Sequence, residues 1–185
     1  SLPHALTVAR VYLLVFRLTK ARLAGLFAAL SLAGNYLFFL YGVTPEVFAL
    51  FDLFVILLTV LLFQWRQTKN PRYLYAASFV FGLSLSHHHV ILFLVPALLY
   101  FLYKVSPLKV GLKRSIYKVR PLKLFGCFFI GLLPYLYLPI AGSSSSIINW
   151  NRPDTAANLL RLVTRADYGT FVSGGFYGGL LTQRV

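Results

Sequence analysis

Apolar and polar positions alternate along this chain in long blocks. Six apolar runs occupy residues 2–18, 23–42, 47–65, 73–86, 90–103 and 124–141. They carry few charged residues, which is the pattern of a core buried in lipid rather than in water. A helix needs about 20 residues to cross the hydrocarbon of a bilayer. The second, third and sixth runs approach that length, and the first, fourth and fifth fall short of it. They predict an all-α, polytopic transmembrane helix bundle of about six spans over residues 1–141, read as a partial domain. Residues 142–185 are more polar, and predict an extracytoplasmic loop carrying one short amphipathic helix.

The turns between the runs differ in charge. Most of the 18 Lys+Arg lie in three of them: Arg17, Lys20 and Arg22; Arg66, Lys69 and Arg72; and residues 104–123, which hold seven Lys/Arg and no acid. Cytoplasmic loops carry such an excess, so these three turns are expected in the cytoplasm, the last lying on anionic headgroups. The opposite, outer side receives residues 42–45, the histidines His87, His88 and His89, and residues 142–185. All four acids, Glu46, Asp52, Asp154 and Asp167, fall on or near that side. Orientation does not require this second asymmetry, so it points to a polar working face.

Composition agrees with the pattern. Of 185 residues 58% are hydrophobic and 12% charged, with mean hydropathy +0.73. A soluble domain carries about 25% charged residues. The net charge of +14 is sorted into loops without a basic–aromatic platform, which argues against a nucleic-acid partner. Cys127 is the one cysteine and lies in an apolar run. No 20-to-50-residue repeat and no inverted repeat is visible.

Several local features are candidates for chemistry. Thr44 can cap the third helix, with Pro45 in its first turn and Glu46 favoured there by the helix dipole. Asp52 is not an obvious partner of Glu46, since six residues separate them on a helix. Asn35 reads as interhelical glue. Pro96 is expected to kink the fifth helix. Arg10 and Arg17 share a helix face: either Arg17 snorkels to the interface and Arg10 faces neighbouring helices, or Arg10 meets a lipid phosphate. Three consecutive histidines diverge by about 100° each on a helix and make a poor metal site, so no metal is expected. One of them contacting an anionic or hydroxylated ligand is the better reading. In the outer segment Trp150 suits an interface, and Asp154 or Thr155 can cap a helix over 156–165. That helix puts Arg161 and Arg165 on one face, either among lipid headgroups or around a lipid-linked phosphate. Residues 143–146 read as a flexible link. No nucleotide-binding or zinc-protease motif is present in the sequence.

Five stretches in order resemble one family: FRLTKARLAGLFAAL, VTPEVFALFDLF, RYLYAASFVFGLSLSHHHVILFLVPALL, LLPYLYLPIAG and NWNRPDTAANLLRLVTRADYGTF. Together they cover most of residues 10–171. This is a bacterial membrane family, formerly of unknown function, that includes the animal transmembrane protein O-mannosyltransferase and resembles the C-type glycosyltransferase superfamily. The resemblance implies that the full-length protein is a multi-pass enzyme of the bacterial plasma membrane or an ER-type membrane, acting on the extracytoplasmic or lumenal side. Its donor would be a polyprenyl- or dolichyl-phosphate-linked sugar, its acceptor a hydroxyl on a protein or glycan, and no other cofactor is implied.

The resemblance places the family's catalytic carboxylate on a loop preceding Ser1. Glu46 matches the family's Glu in its A/P-E-V-Y/F pattern and is the candidate within the chain. His87 or His88 matches an Asn-His turn, with His here at the Asn position. Trp150, Arg165, Tyr168 and Gly169 match the outer-loop pattern. The substrate-binding candidates are therefore His87, His88, Trp150, Arg161, Arg165 and Tyr168. A transporter or flippase of a lipid-linked or anionic solute is the alternative, and a non-catalytic membrane subunit a third. A transporter predicts paired polar residues at mid-membrane and broken helices, whereas Arg10, Asn35 and Asp52 read as unpaired.

Overall fold

A computed structural model describes residues 1–44, 47–105, 119–143, 152–164 and 166. Every regular element among these is helical. The helices are α1 (Leu2–Thr19), α2 (Arg22–Ala33), α3 (Tyr36–Val43), α4 (Phe48–Thr68) and α5 (Pro71–His87). A 3₁₀ turn (His89–Leu94) leads into α6 (Val95–Val105), and α7 (Pro121–Gly131) leads through a second 3₁₀ turn (Leu133–Leu136) into α8 (Tyr137–Gly142). The last described helix is α9 (Ala156–Val163). The chain forms two compact units, Ser1–Leu133 and Pro134–Val185.

In the first unit α1 packs on α2 and α4, α4 on α5, and α5 on α7. Leu58, Leu62, Ala77 and Ile91 form its buried core, with Ile91 fully enclosed at the 3₁₀ turn. Outward faces are apolar as well. Leu23, Phe27 and Leu30, spaced along one face of α2, are 80%, 77% and 66% exposed. Such a surface is stable against hydrocarbon, where the helices satisfy their own backbone groups.

Among the described residues, α4 alone is by length and composition long and apolar enough to cross a membrane. The number rises to three if α2 with α3, and α7 with the helical segment Leu133–Gly142, each count as one span. Six crossings, the expectation from the apolar runs, exceeds this. The reason lies in the breaks. The second run bends by 62° between α2 and α3. There Asn35 takes an extended conformation and its side chain accepts the Phe38 N–H at 3.1 Å. Asn35 thus caps a helix start where interhelical glue was expected. In the fifth run the break precedes Pro96, which sits in the first turn of α6, where its missing N–H leaves no bond unmade.

Two turns share one construction. Residues 17–20 and 66–69 both read R-x-T-K. In each, the lysine closes the helix in the left-handed conformation, Lys20 at φ 59° and Lys69 at φ 54°. The Lys20 and Lys69 N–H groups donate to the Phe16 and Trp65 carbonyls. The Thr19 and Thr68 hydroxyls donate to the Val15 and Gln64 carbonyls, each at 2.8 Å. Those hydroxyl oxygens then accept the Ala21 and Asn70 N–H groups, each at 3.2 Å. Arg17 and Arg66 lie in the last helical turn, where the dipole favours cations.

These turns reverse the chain, so α1 and α4 run parallel and α2 and α5 run back. α5 and α7 run parallel at very close range. The Ser78 hydroxyl donates to the Leu124 carbonyl at 2.8 Å. A Cβ on Gly82 would overlap the Phe128 carbonyl oxygen, and one on Gly131 the Phe79 carbonyl oxygen. Two glycines therefore let the backbones touch, as small residues do between membrane helices.

Candidate functional site

Polar groups of the first unit gather at the end where α1 and α4 begin and α5 finishes. The α4 start differs from the expected one. Thr44 does not cap it: its hydroxyl donates to the Leu40 carbonyl at 2.9 Å, and it terminates α3. The helix begins at Phe48 behind Val47, with no side-chain cap. Pro45 and Glu46 lie outside the described residues.

Asp52, one turn into α4, is paired. Its Oδ2 lies 3.1 Å from His4 Nε2, which makes a hydrogen bond that becomes an ion pair when the ring is protonated. The His4 side chain is 6% exposed. It lies 4.0 Å, centroid to centroid, from Phe38 of α3, and its Nδ1 would be 2.7 Å from a Cβ on Gly42. Helices α1, α3 and α4 thus converge on one imidazole. The sequence hid this pair because its members are far apart in the chain, and His4 stood as an isolated polar residue in an apolar run.

The histidine turn divides its three members. His87, the last residue of α5, has Nε2 2.9 Å from the Val47 carbonyl and donates to it as the Nε2–H tautomer; the ring meets Phe54 edge-on at 5.9 Å. His88 leaves the helix in an extended conformation and caps the 3₁₀ turn, its Nδ1 accepting the Val90 N–H at 3.3 Å. Its ring packs on Phe48 and Phe51 at 5.8 and 5.6 Å. His89 starts the 3₁₀ turn. Just inside the turn, Ser84 is fully buried and its hydroxyl has no partner among the described residues. Buried hydroxyls are nearly always bonded, and the Ser84 hydroxyl is an exception among the described residues.

The basic turns collect at the opposite end. The Lys69 ammonium donates to the Val105 carbonyl at 3.3 Å and lies over the Trp65 ring at 5.2 Å. The Arg120 N–H donates to the Tyr75 hydroxyl at 2.9 Å. Residues 106–118, most of the long basic loop, lie outside the described residues.

In the second unit Thr155 takes the capping role, its hydroxyl accepting the Asn158 N–H at 3.2 Å. Asp154 acts beside it, accepting the Asn158 side-chain N–H at 3.3 Å. Helix α9 ends at Val163, two residues short of the expected Arg165, and carries Arg161 on its exposed surface. Trp150, Arg165, Asp167, Tyr168 and Gly169, with the link at 144–146, lie outside the described residues.

The family model described as the N-terminal domain of protein O-mannosyl-transferase TMEM260 matches residues 4–110. A curated relative from Mus musculus, protein O-mannosyl-transferase TMEM260, is 30% identical over 176 residues. That alignment covers 90% of this chain and 24% of the mouse protein, so the chain spans about a quarter of its relative's length. No solved structure matches.

Proposed function

The chain belongs to the family of the protein O-mannosyl-transferase TMEM260 N-terminal domain, and on that premise we propose that it is part of a multi-pass membrane glycosyltransferase. The full protein would transfer a sugar, mannose in the family's named activity, from a polyprenyl- or dolichyl-phosphate donor to an acceptor hydroxyl. The observation that carries the reading is the His87–Val47 hydrogen bond. It ties the histidine turn to the residue directly after Glu46, at the end of the helices opposite the basic turns. With the basic turns in the cytoplasm, this polar end faces the extracytoplasmic side. About six crossings accommodate that arrangement if bent and short helices complete the spans.

The chemistry fits groups of this kind. A carboxylate takes the proton of the acceptor hydroxyl as its oxygen bonds to the anomeric carbon. The bond from that carbon to the phosphate oxygen breaks, and the lipid phosphate departs with the electron pair. Cations stabilise the leaving charge. Glu46 is the proposed carboxylate within the chain. His87 and His88 are proposed to contact the donor or acceptor. Arg161 and Arg165, with Trp150 and Tyr168, are proposed to meet the donor phosphate, since guanidinium groups match phosphate geometry. No nucleotide pocket is required, because the donor carries its leaving group already.

The test uses the full-length protein with a radiolabelled polyprenyl-phosphate mannose and an acceptor protein. Glu46→Gln should lower turnover by at least about a hundredfold while membrane insertion is unchanged. Unchanged turnover removes Glu46 from the site. Movement of intact donor across a vesicle, with its sugar–phosphate bond unbroken, replaces the transferase reading with the flippase one.

A further inference from the structure

A groove runs between α1 and α4 on the side away from α5's histidine turn. It is lined by Arg10, Leu13, Leu14, Arg17, Leu18, Val60, Phe63, Gln64 and Gln67. Arg10 and Arg17 are seven residues apart, a rise of about 10 Å, which two extended arginine side chains can close upon one group between them. Arg10 lies about 15 Å along α1 from Lys20 at the basic turn, in an apolar stretch from which a long guanidinium side chain can reach back toward headgroup depth. A cation in such a stretch needs an anion or an ordered polar partner. Neither Arg10 nor Arg17 has a hydrogen-bond or ion-pair partner among the described residues. The one acid of this unit that is described, Asp52, is engaged by His4 at the other end of the two helices.

We infer that this groove holds the phosphate of an anionic phospholipid from the bilayer. Arg10 and Arg17 bracket the phosphate, and the Gln64 and Gln67 amides supply further donors at the basic end of the groove. The acyl chains lie along Leu13, Leu14, Val60 and Phe63. This apolar lining is what favours a lipid over a free anion. Charge complementarity supports the occupant, since the groove carries two cations and no acid. The site is separate from the polar end assigned to the chemistry, and the inference does not depend on the transferase reading.

The test is native mass spectrometry of the full-length protein released from micelles containing phosphatidylglycerol or phosphatidylcholine. The wild type should retain phosphatidylglycerol in preference to phosphatidylcholine. Arg10→Gln and Arg17→Gln should each lower that retention by about tenfold. Arg72→Gln should leave it unchanged, since Arg72 sits in the other basic turn with its Nε bonded to Asn70. If Arg10→Gln fails to fold, Arg17→Gln, nearer the rim, carries the result. Equal retention in the wild type and Arg17→Gln overturns the inference. So does equal retention of the two lipids, or displacement of the lipid by millimolar inorganic phosphate, which would mark a free-anion site.

Discussion

Replacing Gly82 by alanine adds one methyl group at the place where α5 and α7 touch. That methyl would overlap the Phe128 carbonyl oxygen and lie 3.1 Å from its carbonyl carbon and 3.3 Å from the Gly131 Cα. All three neighbours are backbone, so no side chain can turn aside, and the helices must separate. Overpacking of this kind costs about 1–3 kcal/mol. Separation also stretches the 2.8 Å Ser78–Leu124 hydrogen bond, worth about 0.5–1.5 kcal/mol. The sum is about 2–4 kcal/mol, a fall of roughly 5–10 °C in melting temperature.

Gly131→Ala should cost a similar amount, since its Cβ meets the Phe79 carbonyl oxygen and lies 2.7 Å from the Leu83 nitrogen. One displacement relieves both clashes, so the double variant should cost clearly less than the sum of the two. Gly126→Ala, on the same α7, supplies the control: a Cβ there has nothing within 4 Å. It should be neutral, or stabilising by up to about 1 kcal/mol through helix propensity. The assay is thermal unfolding of the purified protein in detergent, followed by tryptophan fluorescence. If Gly126→Ala destabilises as much as Gly82→Ala, or if the two clashing variants add fully, the close-contact reasoning fails.

Further expectations concern the polar end, the turns and the second unit. Asp52→Ala strands the nearly buried His4 ring and should destabilise by about 1–2 kcal/mol, a value reduced by the 34% exposure of the Asp52 side chain. Asp52→Asn keeps a bonding partner and should cost less; equal losses by thermal unfolding would count against the pair. Lys20→Gly relieves a left-handed lysine and should stabilise by about 1 kcal/mol. Lys69→Gly should gain less in the same melting assay, because Lys69 also bonds the Val105 carbonyl and covers Trp65. Thr155→Ala removes the α9 cap, costing about 1 kcal/mol, and should speed amide exchange at Asn158 about fivefold. Unaltered exchange there would show that the cap does not hold the helix.

What could be read from the residue pattern was whatever is local. The helical character, the basic turns and the Thr155 cap all follow from hydrophobic runs, charge placement and a threonine before an amphipathic stretch. The misjudged points depended on partners far along the chain or on a choice between two local roles. Asn35 is polar inside an apolar run, which suits either a cross-helix bond or a helix start, and only the bend at Gly34 and Asn35 decides between them. Thr44 is followed by proline, which suits a cap, yet its hydroxyl turns back to Leu40. Nothing in the neighbourhood of His4 announces Asp52, and Gly82 and Gly131 look like ordinary membrane-helix glycines until α5 and α7 are set side by side. Among the candidate site residues, His87 and His88 show a division of labour that three identical letters conceal.

The two R-x-T-K turns bear on how the protein is made. Each is closed entirely by residues within a few positions of it, so neither needs the other, or any distant helix, to form. The second turn leaves the ribosome about 50 residues after the first, which at about 5–20 residues per second is an interval of roughly 2–10 s. A helix of the length of α1 forms in about 0.1–1 μs. The turn between α1 and α2 can therefore close long before α4 is complete, and the His4–Asp52 contact, which joins α1 to α4, has to wait for the later helix.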